Sequence, residues 1–236
     1  MNSRLYLIPT PLGPCAPSDV LPAPVLETIT ALRLFFVEEL RTARRFLSAA
    51  GWKGRLEDLE LLELNEHTPR EQIEAYAELL VSQDAGLISE AGLPAVADPG
   101  ALLVELAHRK GVQVVPMTGP SSLMMALMAS GLNGQCFAFT GYLPVKAPAR
   151  REAIVSLERT SARLHQSEII IETPYRNDAL LADLVAACRP DTRLCVAADI
   201  TCPTEFIRTK SIAGWQKELN KGFTIGKRPC VFILLA

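Results

Sequence analysis

Short apolar runs that stop at proline- or glycine-bearing loops alternate with helical segments along the whole 236-residue chain, and this alternation most limits its fold. Residues 4–8 (RLYLI), 33–37 (RLFFV), 58–64, 85–89 and 112–116 read as strands. Between them, Ser18-Asp19 predicts the cap of a helix reaching Ala31, and residues 40–50 read as a basic helix ending at Gly51. Thr68-Pro69 with Glu71 predicts a capped helix, and Asp98 predicts the cap of one beginning at Pro99. Gly119-Pro120-Ser121-Ser122 opens an apolar helix that stops at Gly131. The pattern then restarts, with strands at 136–140, 168–172, 193–198, 204–209 and 230–235 and helices near 148–164, 175–188 and 211–219. This implies an α/β chain with largely parallel sheets, divided into domains 1–117 and 118–236 with a ligand cleft between them.

An apolar fraction of 49% excludes a disordered chain. With 24 basic and 26 acidic side chains, bulk charge does not mark a nucleic-acid binder, although a local basic face stays open. The N-terminal apolar run is four residues long and stops at Pro9, too short for a signal-peptide core or a membrane span. Ser121 to Ser130 is also short. A soluble, cytoplasmic protein is expected. The six cysteines form no C-x-x-C pair and no zinc spacing, so reduced thiols and no metal are expected.

Common cofactor motifs are missing. The first strand runs into Pro9-Thr10-Pro11-Leu12-Gly13-Pro14, where a dinucleotide site would need a glycine-rich turn. Prolines lack the N–H groups that would face a pyrophosphate. No P-loop and no G-x-S-x-G elbow occurs. Three loops of Gly, Pro and small residues instead follow predicted strands: 9–14, 89–100 and 118–122. Small side chains let a ligand approach the backbone, and proline holds the path rigid.

Six segments carry a resemblance: LYLIPTPLG, VEELRTARRFL, LISEAGLPAVADPG, VVPMTGPSS…ASGL, FTGYLP and IIIETPYR, in that order. Together they resemble the ribosomal RNA small-subunit methyltransferase I branch of the tetrapyrrole methylase superfamily, over nearly the whole chain. The resemblance implies a two-domain α/β fold that is not a Rossmann methyltransferase, S-adenosylmethionine in the cleft, and a homodimer. The best-known branch methylates the 2′-hydroxyl of a cytidine in small-subunit ribosomal RNA. Carried over by motif, the cofactor residues implied are Pro9, Pro11, Leu12 and Gly13, then Ser89, Glu90, Ala91 and Val96, then Ser121 and Ser122. In the second domain they are Thr173, Ala198, Ile200 and Pro229. The sequence departs from the family at Glu38-Glu39-Leu40-Arg41 for E-D-T-R, at Glu90 and Leu93 in S-D-A-G-T-P, and at Cys202 where a lysine is usual. The ribosomal enzymes also usually continue into a small extension beyond the point matching Ala236.

Methyl transfer from a sulfonium is a displacement on an already activated donor, so the protein mainly has to align the reacting atoms. A hydroxyl acceptor gains from a positioned base. Glu39 and Glu66 are the candidate bases, with Arg41 beside them; capping a helix or pairing with Arg41 is the competing role for these acids. Arg44 and Arg45 on the basic helix, and Lys146, Arg150 and Arg151 later, are candidate RNA phosphate contacts. Two other readings stay open: methylation of a small molecule such as a tetrapyrrole, and a non-catalytic cofactor-binding module.

Overall fold

In the computed structural model, which describes residues 3–236, the chain divides between Ser121 and Ser122 into two units, each with its own five-stranded sheet. The first contains β1 (Arg4–Ile8), α1 (Pro17–Val20), α2 (Ala23–Ala31), β2 (Leu34–Val37), α3 (Leu40–Leu47), β3 (Glu60–Glu63), α4 (Arg70–Ser82), β4 (Ala85–Ile88), α5 (Ala101–Arg109) and β5 (Gln113–Pro116). Strand order is β3-β2-β4-β1-β5, and every pairing is parallel.

Side chains of β2 alternate between two buried layers, as the pleat requires. Phe35 and Val37 join Val25, Ile29, Leu47 and Trp52 on one face. Leu34 and Phe36 join Tyr76, Leu80, Leu103 and Leu106 on the other. Thus α2 and α3 cover one face, and α4 and α5 cover the opposite one.

Three helix starts differ from expectation. The segment 18–31 breaks into α1 and α2, because Pro22 has no N–H to continue the first helix. Ser18 lies inside α1, and the Ala16 N–H donates to Asp19 Oδ2 at 3.0 Å. Pro69 stands at the cap of α4 rather than in its first turn. Gly100, with φ 121°, precedes α5, so Asp98 is left in the loop instead of capping that helix.

The second unit contains α6 (Ser122–Ser130), β6 (Phe137–Tyr142), α7 (Ala147–Leu164), β7 (Ser167–Ile171), α8 (Asn177–Ala187), β8 (Arg193–Ala198), β9 (Phe206–Ser211), α9 (Ile212–Asn220) and β10 (Cys230–Leu235). Its order is β6-β7-β10-β8-β9. β6, β7 and β8 point one way, and β9 and β10 run against them, so β6–β7 is the parallel pair. The segment between Ala198 and Phe206 is too short for the crossover that a parallel neighbour needs, so β9 returns antiparallel. Trp215 and Phe232 anchor this core. No disulfide forms, and all six cysteines are free.

Candidate functional site

Because all strands of the first sheet are parallel, their C-terminal ends share one edge. The chain leaves β1 toward the α2 face and leaves the neighbouring β4 toward the α5 face. Such a reversal between adjacent strands opens a crevice where α/β sheets bind ligands. Loops 9–14 and 89–100 flank this point. They are tied together by Thr10 N–H donating to Gly92 O at 2.9 Å and Gly92 N–H donating to Thr10 O at 3.1 Å. Thr10 Oγ1 also donates to Ser89 O at 3.3 Å. The third loop closes on the first: a Cβ at Gly119 would collide with Pro9. A Cβ at Gly92 would sit 3.1 Å from Leu12 Cδ2, in a backbone conformation (φ 81°) that favours glycine. Ala95 and Ala97 hold φ of 64° and 61°, strain of the kind that collects at functional loops. Thus Pro9, Pro11, Leu12, Gly13, Ser89, Glu90, Ala91, Val96 and Ser121 all follow strand ends on this one edge.

The same edge gathers carboxylates. Glu38 Oε2 accepts from Glu90 N–H at 3.1 Å, and Thr42 Oγ1 donates to Glu90 Oε1 at 2.6 Å. A small pocket is lined by Thr10, Glu38, Thr42, Phe46, Ser89 and Glu90. Burial pushes the Glu38 carboxyl up, with Glu90 and Glu66 adding to the rise against the Glu90 N–H. Asp98 is pushed up to about 6, first by burial, then by Glu38 and Glu90, with Ser89 opposing. No lysine or arginine is among the groups that oppose either rise.

Glu39 is different. It caps α3, accepting from Arg41 N–H at 2.9 Å and Thr42 N–H at 2.7 Å. These two donors, with the Arg41 charge, hold its carboxyl below the usual range. Both oxygens are engaged and basicity is lowered, so the candidate base is corrected to a helix cap. Arg41 supplies one of those N–H groups. Glu66 is exposed and pairs with His67 at 3.6 Å. Arg44 and Arg45 are exposed on α3. Asp98, Thr10 and Gly119 lie in the three loops expected to approach a ligand but, apart from Asp98 as a cap, were given no role of their own, and Thr42 was not among the expected site residues. The Asp-Pro-Gly that stops α5 from starting earlier was the available signal for Asp98.

In the second unit, Thr173 follows β7, Ala198 ends β8 and Pro229 precedes β10. These strand ends adjoin, since β10 pairs with both β7 and β8. Asp199 N–H donates to Pro229 O at 3.0 Å. Asp199 and Thr201, flanking Ile200, hold φ of 51° and 71°. Thr173 N–H donates to Glu172 Oε1 at 2.6 Å, and Arg176 Nε donates to it at 2.9 Å. Ser122 begins α6. Lys146 and Arg151 are exposed, but Arg150 is buried. Its Nε donates to Asp183 Oδ2 at 2.8 Å and its Nη1 donates to Val145 O at 2.8 Å. Its role as a phosphate contact is therefore corrected to an internal ion pair: buried charge is held by an opposite charge, and this one has found it.

Residues 4–214 match the tetrapyrrole (corrin/porphyrin) methylase family. The chain belongs to that family. It is 32% identical to the ribosomal RNA small subunit methyltransferase I of Neisseria meningitidis serogroup B, over 99% of this chain and 76% of that protein. The enzyme of the same name from Escherichia coli O157:H7 is 31% identical over 92% and 73%. Uroporphyrin-III C-methyltransferase of Thermus thermophilus, solved with S-adenosylhomocysteine, shares the fold, with a TM-score of 0.57, 19% identity, and coverage of 99% and 97%. The chain is thus an S-adenosylmethionine-dependent methyltransferase of the ribosomal RNA small-subunit methyltransferase I group.

The first unit's edge fits such a donor. Glycine at 92 and 119 lets the three loops approach closely, where a Cβ would meet Leu12 or Pro9. Among the described residues, no group of three or more His, Cys, Asp or Glu could hold a metal ion, and no helix is long and apolar enough to cross a membrane.

Proposed function

We propose that this chain methylates a ribose 2′-oxygen of small-subunit ribosomal RNA. The observation that carries the reading is the carboxylate cluster at this sheet edge, where Glu38 accepts from the Glu90 N–H, Glu90 accepts from Thr42, and burial beside them raises the Asp98 carboxyl to about 6. A hydroxyl gives up its proton late, and a base whose pKa lies near the working pH takes it most efficiently. Asp98 accepts that proton and Glu38 keeps its basicity high. The donor, when bound, supplies an electrophilic methyl group. Pro9, Pro11, Leu12, Gly13, Ser89, Glu90, Ala91, Val96 and Ser121 in the first unit are the proposed contacts to it. Ser122, Thr173, Ala198, Ile200 and Pro229 are the proposed contacts from the second. Rigid prolines and small side chains hold the reactants in line, where alignment supplies most of the rate.

The working form is proposed to be a cytoplasmic homodimer. Phe137, Phe139 and Tyr142 leave exposed apolar side chains on one face of the edge strand β6, and the exposed Val145 follows it. A Phe137→Glu variant should sediment as a monomer; a wild-type monomer overturns the dimer.

Mapping small-subunit ribosomal RNA from a strain lacking the gene tests the acceptor. A missing alkali-resistant linkage, restored by the gene, is the expected result, because 2′-O-methylation blocks alkaline cleavage at that ribose. A methyl group lost from a base, or no change in the RNA, overturns the reading.

A further inference from the structure

The near-neutral total conceals opposite charges on the two units. Residues 1–121 carry 10 basic and 16 acidic side chains, and residues 122–236 carry 14 and 10. Burial widens the gap. Glu158, Glu168, Glu172 and Asp183 are buried in the second unit, against one basic residue, Arg150. That leaves 13 basic and 6 acidic side chains facing solvent there, a balance of +7. No charged side chain is buried among the described residues of the first unit, which stays at −6.

Much of the excess lies in residues 206–228, where Arg208, Lys210, Lys217, Lys221, Lys227 and Arg228 face one acid, Glu218. The pleat puts Phe206, Arg208 and Lys210 on one face of β9. The guanidinium groups of Arg208 and Arg228 lie over the same Phe206 ring, at 5.1 and 5.7 Å. That ring packs against Phe223 and Trp215, at 5.3 and 6.5 Å. Lys210 Nζ donates to Glu218 Oε1 at 2.6 Å, and Lys221 Nζ is 3.9 Å from the same oxygen. Arg228 Nε also donates to Ile225 O at 2.6 Å and lies 3.9 Å from Asp199. One carboxylate thus serves several cations, while Lys217, Lys221 and Lys227 are exposed. Arginine stacked on an aromatic face keeps in-plane N–H groups free for phosphate oxygens.

Position matters as much as charge. Phe206 pairs with Ala198, and Arg228 adjoins Pro229, so the strip starts at the second unit's candidate donor contacts. From there it follows β9 for about 17 Å, at roughly 3.3 Å per residue. We infer that β9, α9 and the loop at 221–228 form the surface that holds the sugar–phosphate backbone of the RNA acceptor. This rests on the ribosomal RNA reading above. The basic strip attracts the backbone, whereas the surface of the acidic first unit disfavours it.

The test is a salt series of binding to transcribed small-subunit ribosomal RNA, using the full chain and a K217E/K221E/K227E variant. Each phosphate that the protein no longer neutralises lowers the slope of log K against log salt by about 0.7 to 0.9. The variant's slope should therefore fall by about 2 to 3, and its binding should be roughly tenfold or more weaker at low salt. Calorimetry should give unchanged affinity for S-adenosylmethionine. A matched K53E/R70E/R109E variant of the first unit should keep the wild-type slope. Wild-type RNA binding with an unaltered slope in the strip variant overturns the surface and leaves the ribosomal acceptor standing. A wild-type chain that ignores the transcript overturns both.

Discussion

Two carboxylates in each unit keep different company. In the second unit, burial alone would raise Glu172 and Asp183, but guanidinium groups, joined at Glu172 by the Thr173 N–H and hydroxyl, outweigh it and hold both below the usual range. Arg176 serves Glu172, and Arg150 with Arg151 serve Asp183. In the first unit, burial raises Glu38 and Asp98, neighbouring acids raise them further, and no cation answers. The contrast teaches which acids were placed for stability. A desolvated acid with a cation is a structural clamp. One without a cation is held at a cost in stability, and such groups are tolerated where chemistry uses them.

The largest effect should come from removing the uncompensated acid. Asp98→Asn should lower single-turnover methyl transfer by about 10²- to 10⁴-fold, the usual contribution of a positioned base. Affinity for S-adenosylmethionine should change little. In the wild type, the rate should rise with pH through about 6 and then level, because the unprotonated carboxyl is the active form. A variant that retains full rate would place Asp98 among the structural acids and break the contrast.

The complementary loss belongs to the second unit. Arg150→Ala strands Asp183 without its buried partner and should cost about 3–5 kcal/mol. Each unit has one fully buried tryptophan, Trp52 or Trp215, whose indole N–H donates to Ile29 O or Leu194 O. Single-tryptophan variants (Trp→Phe at the other site) therefore report each unit separately. Urea unfolding read from Trp215 should shift strongly while that from Trp52 moves less. A change under about 1 kcal/mol would mean that Arg151, which also donates to Asp183, holds the charge by itself.

These distinctions were unevenly legible in the sequence. Strand positions in the first unit and the loops after them follow from short apolar runs stopped by proline or glycine. The β8–β9 reversal was also written there, since the gap before 204 leaves no room for a crossover, but helix–strand alternation masked it. Arg150 sits one residue from the exposed Arg151, and only tertiary packing separates them. Glu39 and Asp98 exchanged roles for a local reason. Gly100, not Asp98, precedes α5, while Glu39 stands where two free N–H groups of α3 need an acceptor. Whole-chain composition hides the opposing unit charges; a boundary near 117 already separates −6 from +4, and only the buried acids raise the second value to +7.

A smaller effect sharpens the cost of the first unit's arrangement. The Asp98 carboxyl titrates near 3.8 in the unfolded chain and at about 6 in the folded one. As pH rises between these values, the unfolded state ionises first and folding loses stability. Above about 6 the penalty is complete, and below about 4 it is absent. For a group wholly shielded from water, a rise of this size would cost about 3 kcal/mol. Partial exposure lets water screen Asp98 and reduces the cost to about 1 kcal/mol. Asp98→Asn should therefore be slightly more stable than wild type at pH of about 7 to 8 and equal to it near pH 3.5. Greater stability at both values would assign the gain to something other than charge.

The smallest effect concerns the one first-unit acid that behaves like those of the second. Glu39 is held below the usual carboxylate range by the N–H groups of Arg41 and Thr42. A lowered folded value contributes stability above the unfolded pKa, and that contribution is lost as pH falls through the folded one. Glu39→Gln keeps one acceptor oxygen and loses the charge, so stability near neutral pH should drop slightly and the difference should vanish in acid. Because both carboxylate oxygens already accept backbone hydrogen bonds, methyl transfer should stay within a few-fold of wild type. Thermal unfolding at two pH values, with single-turnover rates on the same preparation, separates the two roles. A rate loss rivalling that of Asp98→Asn would return Glu39 to the chemistry and show that a capped carboxylate can act as the base.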